Sequence, residues 1–295
     1  MIVINSIEQL KIHLISMQDQ KKIIGFVPTM GALHAGHISL INRAKAACDV
    51  VICSIFVNPT QFNDLSDLDK YPRTVETDCR MLEKANCDIV FVPEVMEMYT
   101  EKELELKRQK VEDKSWAEGK RIDFGPLEKV MEGAHRQGHF NGVAQVVSKL
   151  FRIVQPQKAY FGQKDFQQLA IIKSMVKQLD MPIEIVSCAI IREPNGLAMS
   201  SRNERLTAKE REIASIISKT LFMIREHYQS KQFKELMADA EALILKESSI
   251  KLEYLEIADA ETLQPVNDLN KGKNAVACIA AKIGEVRLID NVVLY

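Results

Sequence analysis

Residues 50–57 read VVICSIFV, an almost unbroken run of β-branched and apolar side chains that stops at Asn58-Pro59. A strand that is apolar at every position is buried on both faces, and such strands belong to parallel sheets covered by helices. Shorter runs of the same kind occur at residues 2–4, 23–27, 89–92, 159–162 and 183–186. The chain is therefore predicted to build a parallel sheet from strands spread over its first two thirds.

Helical patterns separate these strands. The stretches 38–48, 143–154 and 169–179 each place apolar residues three or four positions apart, which is the spacing of one face of a helix. Alternation of strands and helices predicts a doubly wound α/β domain with a parallel sheet, which we place at residues 1–182.

Beyond Pro182 the pattern changes. Residues 209–249 form a long amphipathic stretch, and strand-like runs follow at residues 254–258, 275–283 and 286–294. Gly284-Glu285 lies between the last two runs and is typical of a hairpin turn. We therefore expect a second, smaller α+β domain with an antiparallel sheet at residues 183–295.

The charged residues nearly balance. In 295 residues, 39 Lys and Arg stand against 40 Asp and Glu, so the formal net charge is −1. This balance gives no electrostatic reason to expect nucleic acid or an anionic membrane as a partner. No apolar run approaches the roughly 20 residues needed to span a bilayer, and the first residues lack the pattern of a signal peptide.

The six cysteines form no CxxC pair and are too sparse for a disulfide scaffold. We expect them to be reduced and mostly buried, as in a cytoplasmic protein.

Residues 28–37, PTMGALHAGH, lie where the second predicted strand ends and a helix begins. In an open α/β sheet this edge binds ligands, and the unpaired first N–H groups of a helix attract phosphate. Gly31 and Gly36 would let the main chain approach a ligand closely. His34 and His37 are three residues apart, so both rings would point the same way. The alternatives are capping or core histidines, or a metal site, for which this motif offers no Cys, Asp or Glu.

Residues 161–168, FGQKDFQQ, form a second junction of this kind. Gly162 permits close approach of a ligand, and Lys164 is a point charge suited to phosphate. Asp165 could bind a ribose hydroxyl or, alternatively, cap the helix. Gln168 lies about one turn into that helix and could hydrogen-bond a polar substrate.

Residues 196–203, GLAMSSRN, place Ser200, Ser201 and Arg202 side by side. Hydroxyl and guanidinium donors form a good phosphate-binding set. The alternative is that a serine caps the helix that follows.

Three further polar stretches contain candidate substrate ligands. Asn58 and Gln61 follow the most apolar strand, and their neutral amides suit hydroxyls and carboxylates. Tyr71 belongs to the sequence YPRT, and Arg136 belongs to HRQGHF. For the last two stretches the alternative is an ordinary polar loop.

The sequence HAGH at residues 34–37 resembles the HIGH motif of the nucleotidylyltransferase superfamily, which binds ATP and transfers AMP. Six stretches together closely resemble one family, pantothenate synthetase, also called pantoate–β-alanine ligase. They stand in family order between residues 27 and 203 and read PTMGALHAGH, FVNPTQF, YPRT, HRQGHFNGV, FGQKDFQQL and GLAMSSRN. Gln137 departs from the family pattern, which usually has proline there, and would loosen that loop without removing Arg136.

The resemblance implies a ligase of coenzyme A biosynthesis, with a Rossmann-like N-terminal domain and a C-terminal lid domain. In this family the carboxylate of pantoate attacks the α-phosphorus of ATP and releases pyrophosphate. The amine of β-alanine then attacks the pantoyl adenylate, giving pantothenate and AMP. Mg²⁺ would accompany ATP, bound largely through the phosphates rather than by protein ligands. The family forms dimers through the N-terminal domain, so we expect a homodimer.

The resemblance also implies residue roles. His34, His37, Lys164 and Arg202 are the expected catalytic residues, with His37 as the proton donor. Gln61 and Gln168 would bind pantoate, with Asn58, Tyr71 and Arg136 as further substrate-binding candidates and Arg136 facing the β-alanine carboxylate. Gly162 and Asp165 would lie near the ribose, and the main chain of Ile191 and Met199 near the adenine. The residues expected to bind ATP are Met30, Gly31, Ala32, Leu33, His34, Ala35, Gly36, His37, Gly162, Gln163, Lys164, Asp165, Ile191, Met199, Ser200, Ser201 and Arg202.

Two other functions stay open at this point. A related enzyme that adenylylates a phosphate would need more cationic side chains where Gln61 and Gln168 stand. A non-catalytic ATP-binding regulator would not need His34, His37, Lys164 and Arg202 together. A tRNA synthetase would need an anticodon domain, for which the chain has no length to spare.

Residues 101–121 match none of these motifs. Of these 21 residues 13 are charged, which is typical of an exposed helix or solvated loop. The alternative is a mobile flap beside an active site.

Overall fold

The computed structural model of the chain describes residues 1–62, 65–108, 122–266, 268 and 274–294. It divides into two compact units. The first unit comprises Met1–Phe124, Arg136–Gly162 and Gln168–Cys188, and the second comprises Gly125–His135, Gln163–Gln167 and Ala189–Tyr295.

Strands and helices alternate from the first residues of the chain. Through the first part they are β1 (Ile2–Ile4), α1 (Ile7–Asp19), β2 (Ile24–Thr29), α2 (Ala35–Lys45), β3 (Val50–Ile55), α3 (Leu65–Asp69), α4 (Val75–Lys84), β4 (Ile89–Phe91), α5 (Val95–Met98) and α6 (Glu101–Arg108). They continue with α7 (Met131–His135), α8 (His139–Val154), β5 (Lys158–Gly162), α9 (Phe166–Gln178), β6 (Glu184–Cys188), α10 (Ala208–His227), α11 (Phe233–Leu245), β7 (Ile250–Asp259), β8 (Ala275–Ile283) and β9 (Val286–Leu294).

The first unit contains a six-stranded sheet in the order β1-β4-β3-β2-β5-β6, and every pair in it is parallel. All six residues of β3 are buried, which confirms the expectation from its apolar run. The chain runs outward from β2 to β4 on one side and from β5 to β6 on the other. The topological switch point therefore lies between β2 and β5, where open α/β sheets bind their ligands.

Helix α8 shows why the sequence pattern predicted helices around this sheet. Its buried residues include Val143, Val147, Leu150 and Val154, which recur at helical spacing and form one apolar face. Burying such a face stabilises a helix more than intrinsic propensity does. The doubly wound, Rossmann-like arrangement is thus confirmed.

The second unit contains the antiparallel sheet β7-β8-β9, as predicted for the C-terminal part of the chain. Strands β8 and β9 form a hairpin in which Ile283 pairs with Val286. The turn between them is Gly284-Glu285, and Gly284 has a φ of 55°, a conformation that glycine adopts without strain.

The long amphipathic stretch at residues 209–249 is two helices rather than one. Helix α10 ends at His227, and α11 begins at Phe233 after a turn. Both helices contribute apolar residues to the same core, including Leu221 and Leu236. A single straight helix of this length would carry its second half away from that core, so the chain reverses direction.

The unit boundaries do not follow a single cut in the sequence. Strand β6 belongs to the first unit because its whole length pairs with β5. Two short segments that precede it, Gly125–His135 and Gln163–Gln167, belong to the second unit. The division into domains at residues 1–182 and 183–295 stays a prediction.

The charged stretch 101–121 is described in part. Residues 101–108 form α6, and Lys149 forms an ion pair with Glu103 at 2.5 Å. Burial alone would raise the pKa of Glu103, but hydrogen bonds from Lys149 and Thr100 outweigh it and the pKa is lowered. Residues 109–121 lie outside the described residues, so the alternative of a mobile flap stays a prediction. In the described part of the chain, no helix combines the length and apolar character that crossing a membrane requires.

Burial should protect most of the cysteines from alkylation. All six are free thiols, and Cys53, Cys87, Cys188 and Cys278 are buried. Burial raises the pKa of Cys87 to about 12 and also raises that of Cys53, so both remain protonated thiols at pH 8. We predict that iodoacetamide at pH 8 leaves Cys53 and Cys87 unmodified in the folded protein.

Peptide mass spectrometry would measure this protection, with Cys48 as the internal control because its side chain is partly exposed. All six thiols should react once the protein is unfolded in denaturant. Modification of Cys53 at the rate of Cys48 in the folded protein would contradict the prediction.

Candidate active site

The loop that follows β2 begins at the switch point of the sheet. Thr29 donates its hydroxyl to the carbonyl of Ser54 on the neighbouring strand at 2.7 Å, and its Oγ1 accepts from the N–H of Gly31 at 3.2 Å. Gly31 and Ala32 both have positive φ values, 79° and 48°. For Ala32 this conformation is strained, so the surrounding contacts must hold it in place.

The buried carboxylate of Asp78, on α4, supplies that support. Its Oδ2 accepts from the N–H of Ala32 at 2.9 Å, and its Oδ1 accepts from the N–H of Leu33 at 2.8 Å. Thr74, one helical turn earlier, donates its hydroxyl to Oδ1 at 3.1 Å. A Cβ on Gly31 would lie 3.0 Å from Asp78 Oδ2, so glycine allows the carboxylate to approach.

Sequence reasoning missed Asp78. A signal was present, because Asp78 is four residues from Thr74 and lies on a helix whose other buried residue is Leu82. A carboxylate on the apolar face of a helix is a buried charge that needs specific partners.

His34 and His37 cap the start of α2 together. Nδ1 of His34 accepts from the N–H of Gly36 at 3.1 Å, and Nδ1 of His37 accepts from the N–H of His34 at 3.3 Å. The two ring centroids are 4.1 Å apart. The capping role considered as an alternative is therefore real, and it orients both rings.

This capping network also fixes the tautomers. A ring nitrogen that accepts a hydrogen bond carries no proton, so in each neutral ring the proton is on Nε2. Each histidine can therefore act as a neutral N–H donor without losing its place in the cap. A doubly protonated ring would lose the acceptor that the cap requires.

Most main-chain donors around the start of α2 form hydrogen bonds within the protein. The N–H groups of Gly31, Ala32, Leu33, His34 and Gly36 are all taken up by Thr29, Asp78 and the two imidazoles. A loop with two positive φ residues needs these internal bonds to keep its shape. The same loop carries the pair of imidazole rings.

Asn58 and Gln61 lie in the turn that follows β3. Asn58 is completely buried, and its Oδ1 accepts from the hydroxyl of Tyr99 at 2.9 Å. Burial raises the pKa of Tyr99, which keeps this phenol protonated as a donor. The Nδ2 of Asn58 donates to Gln61 Oε1 at 3.2 Å, and Gln61 Nε2 approaches the sulfur of Met30 at 2.9 Å. Asn58 thus orients Gln61, whose amide stands beside Met30.

The HRQGHFNG stretch supports the same turn from α8. A Cβ on Gly142 would lie 2.5 Å from the carbonyl of Thr60, so only glycine allows this approach. Arg136 Nη1 is 3.1 Å from His139 Nε2, and His139 Nδ1 is 2.9 Å from the carbonyl of Gln61. With Arg136 as the donor, His139 carries its proton on Nδ1 and donates it to Gln61. Gln137 stands where the family usually has proline, and helix α8 still begins two residues later, at His139.

Tyr71 and Gln168 differ in exposure. Tyr71 is buried, with its ring edge-on to Phe62 at a centroid distance of 5.7 Å. Gln168 is the third residue of α9 and half-buried. Gly162, at the end of β5, has open space where a Cβ would stand, in agreement with close approach of a ligand.

The remaining candidates belong to the second unit. Lys164 Nζ is 3.9 Å from Asp165 Oδ1, and the carbonyls of Gln163 and Lys164 accept from Asn291 Nδ2 at 2.9 and 2.8 Å. Gln167, in the same motif, is buried and donates to the carbonyls of Leu127 and Val130.

The GLAMSSRN stretch forms one arm of a short hairpin. The N–H of Met199 donates to the carbonyl of Ile191 at 3.0 Å, and Gly196 turns the chain with a φ of 94°. Ser200 Oγ accepts from the N–H of Arg202 at 3.3 Å, so Ser200 does cap the 3₁₀ turn that follows. Ser201 is buried and Arg202 is half-buried.

The predicted residues thus fall into two sets. The first unit carries residues 30–37, Asn58, Gln61, Tyr71, Arg136, Gly162 and Gln168, and the second carries residues 163–165, Ile191 and residues 199–202. Across the described ranges, no three His, Cys, Asp or Glu side chains cluster as they would to hold a metal ion.

A doubly wound parallel sheet with structured polar loops at its switch point defines a Rossmann-like α/β protein. The model of the family described as Pantoate-beta-alanine ligase matches residues 2–293. The chain belongs to this family and is a ligase.

Relatives and solved structures agree with this membership. A pantothenate synthetase of Bacteroides thetaiotaomicron is 49% identical over 98% of both chains, and one of Phocaeicola vulgatus is 50% identical over the same shares. The crystal structure of pantothenate synthetase from Thermus thermophilus matches with a TM-score of 0.87 at 38% identity, covering 99% of each chain. A pantoate-beta-alanine ligase from Francisella tularensis, complexed with beta-gamma ATP and beta-alanine, matches with a TM-score of 0.77 at 37% identity, over 99% of this chain and 97% of that one.

Loss of the Asp78 carboxylate should loosen the loop after β2. In an Asp78→Asn variant, an amide NH₂ faces a main-chain N–H, so one of the two loop bonds is lost. We predict that the free energy of unfolding falls by about 1–3 kcal/mol. Amide hydrogen exchange in residues 31–36 should accelerate at the same time.

Glu76→Gln is the matched control, because it makes the same chemical change on the same helix at a side chain that is 92% exposed. Its unfolding curve and its exchange should match the wild type. Equal exchange rates in the two variants would show that Asp78 does not hold the loop.

Proposed function

We propose that the chain condenses pantoate with β-alanine to give pantothenate, converting ATP to AMP and pyrophosphate through a pantoyl adenylate. The observation that carries the proposal is the loop after β2, which holds the rings of His34 and His37 side by side through their Nδ1 atoms at the switch point of the sheet. Family membership and the ligands of the Francisella protein support the choice of substrates.

The reaction has two displacements. A pantoate carboxylate oxygen attacks the α-phosphorus of ATP. The bond between the α-phosphorus and the oxygen that bridges it to the β-phosphate breaks, and pyrophosphate leaves with that oxygen. The amine of β-alanine then attacks the acyl carbon, loses a proton, and AMP leaves with the former carboxylate oxygen. Neither step needs a nucleophile from the protein, so positioning and charge stabilisation carry the rate enhancement.

In this proposal His34 and His37 donate Nε2–H to the phosphates as negative charge develops on them. Donors fixed in advance act without reorganisation at the moment of reaction, and the capping network provides that fixation. Because the main-chain N–H groups of residues 31–34 and 36 are occupied, these two rings are the principal donors of the loop. His37 is assigned as the donor to the leaving pyrophosphate.

The second unit contributes Lys164, Ser200, Ser201 and Arg202 as further phosphate ligands. Lys164 carries a charge on a side chain that is 18% exposed, where water screens it less than at an open surface. The Met199–Ile191 hydrogen bond uses the Met199 N–H and the Ile191 carbonyl. We assign the other two groups, the Ile191 N–H and the Met199 carbonyl, to the adenine edge, with Gly162 and Asp165 near the ribose.

Pantoate is assigned to Gln61 and Gln168 beside Met30. The contacts of Asn58 and the burial of Tyr71 favour positioning roles for these two residues, since neither presents an open polar face. Arg136 is assigned to the carboxylate of β-alanine, held at its base by His139.

Mg²⁺ belongs to the proposal as the partner of ATP. The side chains that we assign to the phosphates are imidazole, ammonium, hydroxyl and guanidinium groups, and the one acid assigned to ATP, Asp165, is placed near the ribose. This set fits an ion bound chiefly by the phosphates and water, where it would neutralise phosphate charge. A cytoplasmic homodimer is the remaining part of the proposal, and light scattering of the purified protein would test the dimer.

The direct test is to incubate the purified chain with ATP, pantoate and β-alanine and to assay pantothenate and AMP. Formation of both, dependent on all three substrates, is the expected result. Exchange of pyrophosphate into ATP that requires a phosphorylated acceptor instead of pantoate would overturn the proposal.

Substitution of His37 should separate catalysis from capping. His37→Ala removes both the cap and the Nε2 donor, so we predict a loss of about 10²–10³-fold in kcat and about 1 kcal/mol of stability. His37→Asn retains an oxygen acceptor near the position of Nδ1 but has no group at Nε2. We expect this variant to recover thermal stability without recovering turnover, and turnover near the wild-type value would remove His37 from the chemistry.

Substitution of Gln61 should affect one substrate selectively. We predict that Gln61→Ala raises KM for pantoate by more than it raises KM for ATP, because its amide is assigned to pantoate alone. Steady-state kinetics with each substrate varied in turn would measure both values, and Gln9→Ala, on the exposed side of α1, is the control. An equal increase in both KM values would mean that the pocket is assigned wrongly.

A further inference from the structure

We propose that Asn291, on strand β9, is a positioning residue for Lys164, and that with Asp290 it holds both stretches of the second unit assigned above to ATP. The inference rests on the proposed function for its kinetic consequence. The geometry on which it depends lies wholly within the second unit.

Asn291 binds two successive carbonyls of one loop. Its buried side chain donates from Nδ2 to the carbonyl of Gln163 at 2.9 Å and to that of Lys164 at 2.8 Å. One NH₂ group that bridges two consecutive peptide planes restrains the direction in which the Lys164 side chain leaves the main chain. A hydroxyl has one hydrogen and a carboxylate has none, so an amide suits this position.

Asp290, the preceding residue, holds the hairpin that leads to Ser200–Arg202. Its carboxylate forms a bidentate pair with Arg192, with N–O distances of 2.6 and 3.0 Å. Arg192 also donates to the carbonyl of Gly196 at 3.1 Å and stands over the ring of Phe222. Bidentate arginine–carboxylate pairs have a fixed geometry, so the hairpin is tied to β9 in one orientation.

The two anchors are linked to each other. Asp290 Oδ1 accepts from the N–H of Asn291 at 2.8 Å, and the carbonyl of Asn291 accepts from Arg192 Nη2 at 3.4 Å. One short segment of β9 therefore holds the loop at residues 163–165 and the hairpin at residues 191–199. This arrangement preorganises Lys164 relative to Ser200–Arg202 within the second unit.

The side chain of Asn291 binds these carbonyls although its own oxygen forms no hydrogen bond in the described part of the chain. Its Oδ1 is buried and has no hydrogen-bond partner among the described residues. A buried acceptor without a partner destabilises the folded state, so an apolar side chain would suit a purely structural position better. Because the Asn291 oxygen contributes no hydrogen bond within the described ranges, the contribution of this side chain comes from the two hydrogen bonds that its NH₂ group donates.

The test compares Asn291→Ala with Val292→Ala by pyrophosphate exchange into ATP in the presence of pantoate. Val292 is buried in the core of the same unit on the same strand, so its truncation removes packing and leaves the Asn291 bonds in place. We expect Asn291→Ala to lower the maximal exchange rate about tenfold or more while KM for pantoate stays within about twofold, since small misplacements can cost up to about 100-fold. Val292→Ala should lower Tm at least as much and keep its rate within about twofold.

A second readout keeps the positioning role separate from the proposed reaction. Acetylation of Lys164 by an N-hydroxysuccinimide ester, followed by mass spectrometry, reports the environment of this amine without any turnover. We expect its acetylation rate to change at least threefold in Asn291→Ala and to stay at the wild-type value in Val292→Ala. If the wild-type chain forms no pantothenate, the proposed function fails and this labelling still decides the positioning role.

Asn291→Asp provides an independent variant, because it places carboxylate oxygens against two carbonyl oxygens and should displace the loop further than alanine does. We expect a slower exchange rate than in Asn291→Ala. Wild-type exchange and wild-type Lys164 labelling in Asn291→Ala, or losses in Val292→Ala as large as those in Asn291→Ala, would overturn the inference.

Discussion

The first half of the site depends on one buried carboxylate. Asp78 accepts hydrogen bonds from two successive main-chain N–H groups, of Ala32 and Leu33, and so stabilises a loop with a strained non-glycine residue. This loop leads to His34, which caps the start of α2 together with His37. Without Asp78 the two rings would still be close in sequence, but their orientation at the sheet edge would not be fixed.

Several polar groups that we assign to the chemistry also serve the fold. The histidines, which we assign to the phosphates, cap a helix through Nδ1, and Ser200 caps a 3₁₀ turn beside Arg202. Asn58 orients Gln61 instead of facing a ligand. Capping and catalysis were alternatives for the sequence, whereas in the proposed function the capping hydrogen bonds orient the rings that act on the phosphates.

The sequence allowed the sheet to be predicted because a strand buried on both faces, such as β3, is apolar at every position. The motifs follow directly after predicted strands. Because the carboxyl ends of parallel strands share one edge of the sheet, the sequence also predicted where these candidates lie. Asp78 was missed although its place on the buried side of α4 was a signal, because the loop that it holds is more than 40 residues away. Gly142 belongs to a stretch that was singled out, but its packing against Thr60 depends on a contact distant in sequence, and so do the bonds of Asn291. The break between α10 and α11 was missed because both helices continue the same amphipathic period.

The chain passes between the two units at residues 124/125, 135/136, 162/163, 167/168 and 188/189. A fragment cut out at any single peptide bond would therefore leave one unit without pieces of itself. Residues 189–294 alone would lack Glu132, the carboxylate that pairs with Arg287 at 2.7 Å, and the two carbonyls that Asn291 holds. The two units are interleaved along the sequence, so an engineer who exchanges the second unit must transplant two internal segments, Gly125–His135 and Gln163–Gln167, together with the C-terminal part of the chain.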